Sequence, residues 1–350
     1  MNKNYFKWRN VLAIAICLTG ITMFSACSDE KDENGTGQTG NGNGNNDGGG
    51  GNPGTWIAVA NTTFSNFEIH DIAYGGGTFV AGDLNRAAYS SDGISWTAVK
   101  VFDVTGEYES EGFISIAYGG GRFVAIDNAG RVAYSTNGAA WTPANGTITA
   151  GADIAYGSNR FVACGASLSG DIAYSSNGEV WAESYNNAFS ESYPTSNGIA
   201  YGAGKFVTVG DRGQMAYSTD GVTWNAVADS KFGQQKINGI DYCNDRFVAF
   251  GYASMAYSTD GITWTQVSIP NGSLLDKTDM KGVAYGGGKY VVVANKGKMA
   301  ESPDCITWTE ITETTFGYAE IYDITFGDGK FVAVGFNDTY RGHIAYCTVE

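Results

Sequence analysis

One phrase recurs seven times along this chain and governs what the chain can fold into. It first reads Ile72-Ala73-Tyr74-Gly75-Gly76-Gly77-Thr78-Phe79-Val80-Ala81. It returns starting at Ile116, Ile154, Ile199, Ile240, Val283 and Ile324, at spacings of 38 to 45 residues. A repeat of this size is one supersecondary unit that cannot bury its apolar face alone and must stack on its neighbours. Within each unit, Ile-Ala-Tyr reads as a strand ending in a Gly-rich turn, and Phe-Val-Ala reads as a second strand. Ala-Tyr-Ser forms a third, and a fourth begins at Trp. Glycine supplies the positive φ of tight hairpins, and alternating aromatic, β-branched and small residues suit strands buried between sheets. Four short strands on a period of about 40–45 residues predict an all-β chain, a seven-bladed β-propeller of four-stranded antiparallel blades.

The seventh unit stops at Tyr346-Cys347-Thr348-Val349-Glu350, with no Trp strand. The segment Thr55-Trp56-Ile57-Ala58-Val59 matches a fourth strand such as Thr263-Trp264-Thr265-Gln266-Val267. The N-terminal strand is therefore expected to complete the last blade, which leaves no open sheet edge. The propeller is expected over residues 55–350 as a single domain.

Between the third and fourth strands stands Ser90-Ser91-Asp92-Gly93-Ile94-Ser95-Trp96, with counterparts at Ser135–Trp141, Ser175–Trp181, Ser218–Trp224, Ser258–Trp264 and Ser302–Trp308. Asp or Asn oxygens can cap backbone N–H groups of such a turn, Gly can take its left-handed position, and Trp can pack on a neighbouring blade. The motif resembles the Asp-box, or BNR repeat, of sialidase-like β-propellers. It departs from the family in placing Gly directly after Asp or Asn, where the usual box has one residue between. Asn137 and Asn177 replace Asp, and Cys305 replaces Gly. The resemblance implies the propeller scaffold and carries little sialidase chemistry. Arg86, Arg131 and Arg341 come from blades one, two and seven and invite comparison with the three arginines that hold a sialidase substrate's carboxylate. Yet no Arg-Ile-Pro motif or matched Tyr–Glu pair accompanies them, and Arg86 and Arg131 align with Gln214 and Lys298.

The N-terminus carries Lys3, Lys7 and Arg9, then an apolar run from Val11 to Phe24 that is too short for a stable span and reads as a signal peptide over residues 1–26. Phe24-Ser25-Ala26-Cys27 resembles a bacterial lipobox, with Phe24 where Leu is usual, and implies lipidation of Cys27. The following Ser28-Asp29-Glu30-Lys31-Asp32-Glu33 is similar to the surface-export signal of Bacteroidetes lipoproteins. Acyl chains would hold the domain to a membrane without a spanning helix. Residues 27–54 are expected to be the lipidated cysteine and a Gly/Asn-rich tether, a composition that buries no core. These features predict a cell-envelope, outer-membrane lipoprotein, exposed at the surface.

The formal charge is −15 for the whole chain, and −18 without the first 26 residues, which hold Lys3, Lys7 and Arg9 and no acidic residue. This argues against a nucleic-acid partner, which needs a basic face. Cys164, Cys243, Cys305 and Cys347 show no CxxC or His pairing, so no metal site is indicated. Cys305 and Cys347 fall at equivalent turns of neighbouring blades, a placement that would allow a disulfide. The histidines are His70 and His343, and no nucleophile elbow accompanies them. No cofactor motif is present, because the Gly runs sit in hairpins rather than before helices.

Strand connections alternate between the two ends of a propeller, so the Gly-rich and Asp-box turns share one end. The other carries the long, variable connections 98–114, 142–152, 182–198, 225–239, 265–282 and 309–323. Binding residues concentrate on variable loops held by a rigid scaffold. Candidate ligand-binding residues on that end are Asp83, Asp127 and Asp211 after the second strand, Asp153 before the innermost strand, Arg86, Arg131 and Arg341, and Tyr108, Tyr193 and Tyr322. Asp71 and Asp323, from neighbouring blades, are the candidate carboxylates for glycoside chemistry, which needs about 5 to 9 Å between them. The leading expectation is a monomeric, non-catalytic binding propeller for a glycan or an envelope protein. The alternatives are a glycoside hydrolase or lyase with carboxylates at the channel mouth, and a protein-assembly scaffold.

Overall fold

The computed structural model describes residues 54–349 apart from 65–67, 84–85, 102–112, 128–129, 150, 166–170, 190–194 and 340. The expected signal peptide, Cys27, all of the tether but its last residue, Tyr108 and Tyr193 lie outside the described residues.

The described chain forms seven four-stranded antiparallel sheets, six of them with their strands in sequence order from the inside outward. Blade 1 comprises Ile69–Gly75, Thr78–Asp83, Ala87–Ser90 and Thr97–Val99. The inner strands of blades 2 to 7 are Phe113–Gly119, Asp153–Gly157, Ser196–Gly202, Ile237–Cys243, Met280–Gly286 and Ile321–Gly327. Each packs on the inner strand before and after it, and Ile321–Gly327 packs on Ile69–Gly75, so the ring is closed. In the seventh sheet Ile57–Ala58 lies outermost, with Ile57 opposite Tyr346 and Ala58 opposite Ala345.

The repeated phrase explains how blades fit. The Tyr of Ile-Ala-Tyr meets the aromatic ring of its own second strand in every blade, from Tyr74–Phe79 at 4.4 Å to Phe326–Phe331 at 4.9 Å between centroids. The second-strand Phe side chains are fully buried, each worth about 1.5–3 kcal/mol of apolar burial. In every blade but the fifth, where Cys243 stands, a glycine ends the inner strand and lies directly against the next blade's ring: a Cβ on Gly75 would stand 2.1 Å from Tyr118, and one on Gly327 2.2 Å from Tyr74. The wedge shape of the blades thus depends on a missing side chain beside a large one.

The turns between the third and fourth strands share their Ser and Asp or Asn hydrogen bonds. In the first, Ser90 Oγ accepts the Gly93 N–H at 2.8 Å, and Asp92 Oδ1 accepts the N–H groups of Ile94 and Ser95 at 2.8 and 2.7 Å. The Trp96 indole N–H donates to the Gly93 carbonyl at 3.1 Å. Gly93 has φ +70°, and Cys305 takes the same left-handed conformation at +63° in the sixth box. Three second strands start with an arginine that lies over a tyrosine of its own blade and donates to the box of the next blade. Arg122 reaches the Asn177 carbonyl at 2.7 Å, Arg160 that of Asp220 at 2.6 Å, and Arg246 that of Asp304 at 2.8 Å. Cys164, Cys243, Cys305 and Cys347 are buried free thiols, so the Cys305–Cys347 bond that the register would allow is not formed.

Candidate functional site

The variable end of the propeller is organised by a backbone device. In blades 1, 2, 4, 5, 6 and 7 the inner strand has a β-bulge at the residue two before the repeated Ile or Val, between Ile69 and Asp71 in blade 1 and between Ile321 and Asp323 in blade 7. A bulge leaves one residue out of the ladder and re-aims its side chain. The residues so displaced include His70, Asn197, Asn238, Lys281 and Tyr322.

Three of these side chains reach onto the following blade. Asn197 Nδ2 donates to the Ile237 carbonyl at 2.9 Å and to Asp211 Oδ1 at 2.9 Å. Asn238 Nδ2 donates to Asp279 and to the Met280 carbonyl. The Tyr322 hydroxyl donates to Glu68 at 2.6 Å, and the His70 ring stacks on Tyr322 at 4.9 Å. Burial and then the Glu68 carboxylate raise the Tyr322 pKa, so its phenol stays protonated. Lys281 pairs with Asp279, and Lys236 lies 3.7 Å from Asp211. Burial lowers the Lys236 pKa, with Asp211 opposing that shift and Lys281 adding to it.

The carboxylates expected around the mouth lie deeper than expected. Asp71, Asp153 and Asp323 are buried and accept backbone N–H groups from neighbouring blades. Asp323 Oδ2 takes Ile72 N–H at 3.2 Å, Asp71 Oδ2 takes Ile116 N–H at 2.7 Å, and Asp153 Oδ2 takes Ile199 N–H at 2.7 Å. Asp241, two positions further along its strand, takes Val283 N–H at 2.9 Å. Burial raises the pKa of Asp71 and Asp153 well above the ordinary carboxylate range, and the Asp323 charge adds to the shift at Asp71. Asp71 and Asp323 are therefore sealed between blades, out of reach of a substrate while the ring is closed.

Asp83 and Asp127 serve their own loops. Asp83 Oδ1 accepts the Arg86 N–H at 2.6 Å, while Asp127 accepts the Arg131 N–H at 2.8 Å and binds its guanidinium at 2.5 Å. Both aspartates are buried. The exposed Arg341 has its backbone held by Asn337. Asp211 remains partly exposed, with 39% of its side chain accessible. Of the loop aromatics, Phe189, Phe232 and Phe316 cover the core, whereas Tyr318 and Tyr252 are exposed at 86% and 55%. His343 is held against Thr315 and Phe316, and burial lowers its pKa. Sequence reasoning passed over Asn197, Asn238, Lys281, Lys236 and Tyr252. For three of these the signal was a variable column, two residues before each repeated Ile or Val, inside an otherwise constant phrase.

No protein-family model matches this sequence, and no curated protein matches it. Solved structures do. YCF48 from Cyanidioschyzon merolae is 17% identical, with a TM-score of 0.65, over 84% of this chain and 99% of that one. YCF48 bound to D1 peptide is 14% identical, with a TM-score of 0.63, over 85% and 96%. A catalytically inactive virginiamycin B lyase from Staphylococcus aureus, with quinupristin, is 12% identical, with a TM-score of 0.66, over 85% and 99%. The likeness is one of fold. Chains of this architecture both hold peptides and serve as lyases, so the site residues must carry any functional reading.

Proposed function

We propose that this protein is a non-catalytic binding module of the bacterial cell envelope, anchored through a lipid on Cys27, that presents its variable end to a protein partner. The observation that carries this reading is the division of labour on that end. The carboxylates suited to chemistry, Asp71 and Asp323, are sealed between blades. The accessible side chains are aromatic and charged, led by Tyr318 and Tyr252. Exposed tyrosines beside rigid polar rims are the usual anchors of protein interfaces. The D1 peptide held by YCF48, on the same fold, adds support to a peptide or protein ligand over a small substrate.

Face-specific loss of binding tests the reading. The wild-type protein should capture one or a few envelope proteins by cross-linking, and Tyr252→Ser with Tyr318→Ser should abolish capture. Val180→Ser with Ile306→Ser, on the Asp-box end, should leave it intact. Capture lost only in the second pair, or cleavage of a glycan by wild type, would overturn the proposal. Cys27→Ser should abolish incorporation of a labelled fatty acid and release the protein from the membrane fraction.

A further inference from the structure

The variable end of blades 4 to 6 departs from the charge of the rest of the molecule. Over residues 210–298 this end holds Arg212, Lys231, Lys236, Lys277, Lys281, Lys296 and Lys298 against Asp211, Asp229, Asp276 and Asp279. That is seven basic residues against four acidic ones, in a chain of net charge −15.

These residues belong to one continuous surface. Ser230 Oγ donates to the Gly213 carbonyl at 2.7 Å, joining the blade 4 loop to the connection that follows it. Lys236 approaches Asp211 at 3.7 Å. Ala253 N–H donates to the Thr278 carbonyl at 2.8 Å, joining the blade 5 loop to the next connection. Lys298 Nζ reaches Thr278 Oγ1 at 3.0 Å and the Leu274 carbonyl at 3.1 Å, which brings in the blade 6 loop. Tyr252 stands exposed in the middle, its backbone bridged to Asp279.

The backbone supplies a second, independent observation. Arg212, Lys231, Lys277 and Lys296 all have left-handed backbones, with φ of 56°, 71°, 56° and 59°. Gly and Asn take this conformation at least cost, and long charged side chains do not favour it. Residues held in such conformations cluster at functional sites. At the position of Lys231, two other blade connections place Thr63 and Thr315, so the loop shape does not itself require a cation. Among the described residues, basic side chains take such left-handed positions only between blades 4 and 6.

We infer that this surface, Arg212, Lys231, Lys236, Lys277 and Lys296 around Tyr252, is the docking site for an acidic segment of a protein partner that also carries an apolar side chain. The inference rests on the proposed protein-binding role and names the chemistry of its ligand. A peptide fits better than a polyanionic glycan because carboxylates are interleaved with the cations. Lys231 pairs with Asp229 at 2.5 Å, and Asp211 and Asp279 stand beside Lys236 and Lys281. A uniform polyanion would meet these three carboxylates, whereas a peptide can place its own N–H groups and carboxylates in alternation.

The test uses immobilised peptides matched in length: acidic with one Leu or Phe, neutral and basic. Polygalacturonate is the competing polyanion. Wild-type protein should bind the acidic peptides, and raising salt from about 10 mM to about 150 mM should weaken binding, because the screening length falls from about 30 Å to about 8 Å. The combined variant Arg212→Asn, Lys231→Asn, Lys277→Asn and Lys296→Asn should weaken binding roughly tenfold or more, as expected for losing four charge contacts at the surface. Asn suits the left-handed backbone, so this variant should melt no lower than wild type, and a folding defect will not mimic the loss. Arg160→Asn with Lys330→Asn, at the other end, should change nothing. No selectivity for acidic peptides, or preference for polygalacturonate over them, would overturn the inference. If face-specific capture through Tyr252 and Tyr318 then persisted, the protein-binding role would stand; if that failed too, both would fall.

Discussion

Asp71 is the residue whose chemistry is most altered by its surroundings. Burial first, then the charge of Asp323, lift its pKa, with Asp153 adding a smaller push. One oxygen accepts the Ile116 N–H, and the other gains a partner only when a proton is shared with Asp323. The folded pKa lies above the unfolded value of about 3.9, so the folded state binds more protons between the two. Stability from this site is full below about pH 4 and declines as pH rises toward the folded pKa. Asp71→Asn keeps an acceptor for Ile116 and offers Asp323 a permanent donor. It should raise stability at pH 8 by roughly 1–3 kcal/mol and change it little at pH 4, as read by denaturant unfolding at both pH values. An equal effect at both would show that the pair shares no proton. The sequence placed Asp71, Asp153 and Asp323 in the right blades and at the right end, but on the rim rather than beneath it. Beside Asp71 and Asp323 a bulge one residue earlier re-aims the rim position, and a bulge is a backbone event marked in these repeats only by a variable column.

At the scale of the element, the hydrogen bonds of the turn between the third and fourth strands were legible in its Ser, Asp and Gly, because each has one natural task in a tight turn. Asp260 shows the balance. Burial pushes its pKa up, but the Thr263 and Ile262 N–H groups with the Ser258 hydroxyl outweigh that and hold it at about 2. A lowered carboxylate contributes stability above its unfolded pKa and loses it as pH falls toward the folded one. The boxes should therefore weaken between about pH 4 and pH 2, the opposite direction to Asp71. Asp260→Ala should cost about 1–2 kcal/mol at pH 7 and nearly nothing at pH 2, measured by thermal unfolding. Less legible were the long connections. The aromatic content of these loops suggested ligand contact, yet Phe189, Phe232 and Phe316 cover the core, and only an exposed position such as Tyr318 is available to a partner. Composition alone does not separate a lid from an anchor, because both need the same side chains.

At the scale of the whole molecule, seven near-identical phrases made the blade count plain, since each unit is incomplete without a neighbour. The ring is joined at blade 7, where Ile57–Ala58 pairs with Gly342–Thr348 and Thr62 donates to the Gly342 carbonyl across 280 residues. Trp56, Val59 and Phe64 are buried at this seam. Deleting residues 54–64 should cost about 5 kcal/mol or more, from three large apolar side chains, and bare a sheet edge. Self-association on a sizing column together with a lowered melting temperature would be the signature; an unchanged monomer would show that the seam contributes little.

That seam also sets an order in time. The strand made first by the ribosome meets its partner only after blade 7 has emerged, so for most of its synthesis the chain is an arc with two unpaired ends. Contacts of such long separation form late and slowly, and the waiting edges are sites for wrong pairing. The geometry that gives the finished ring its rigidity leaves the growing chain dependent on whatever keeps its first strand apart until the last is made.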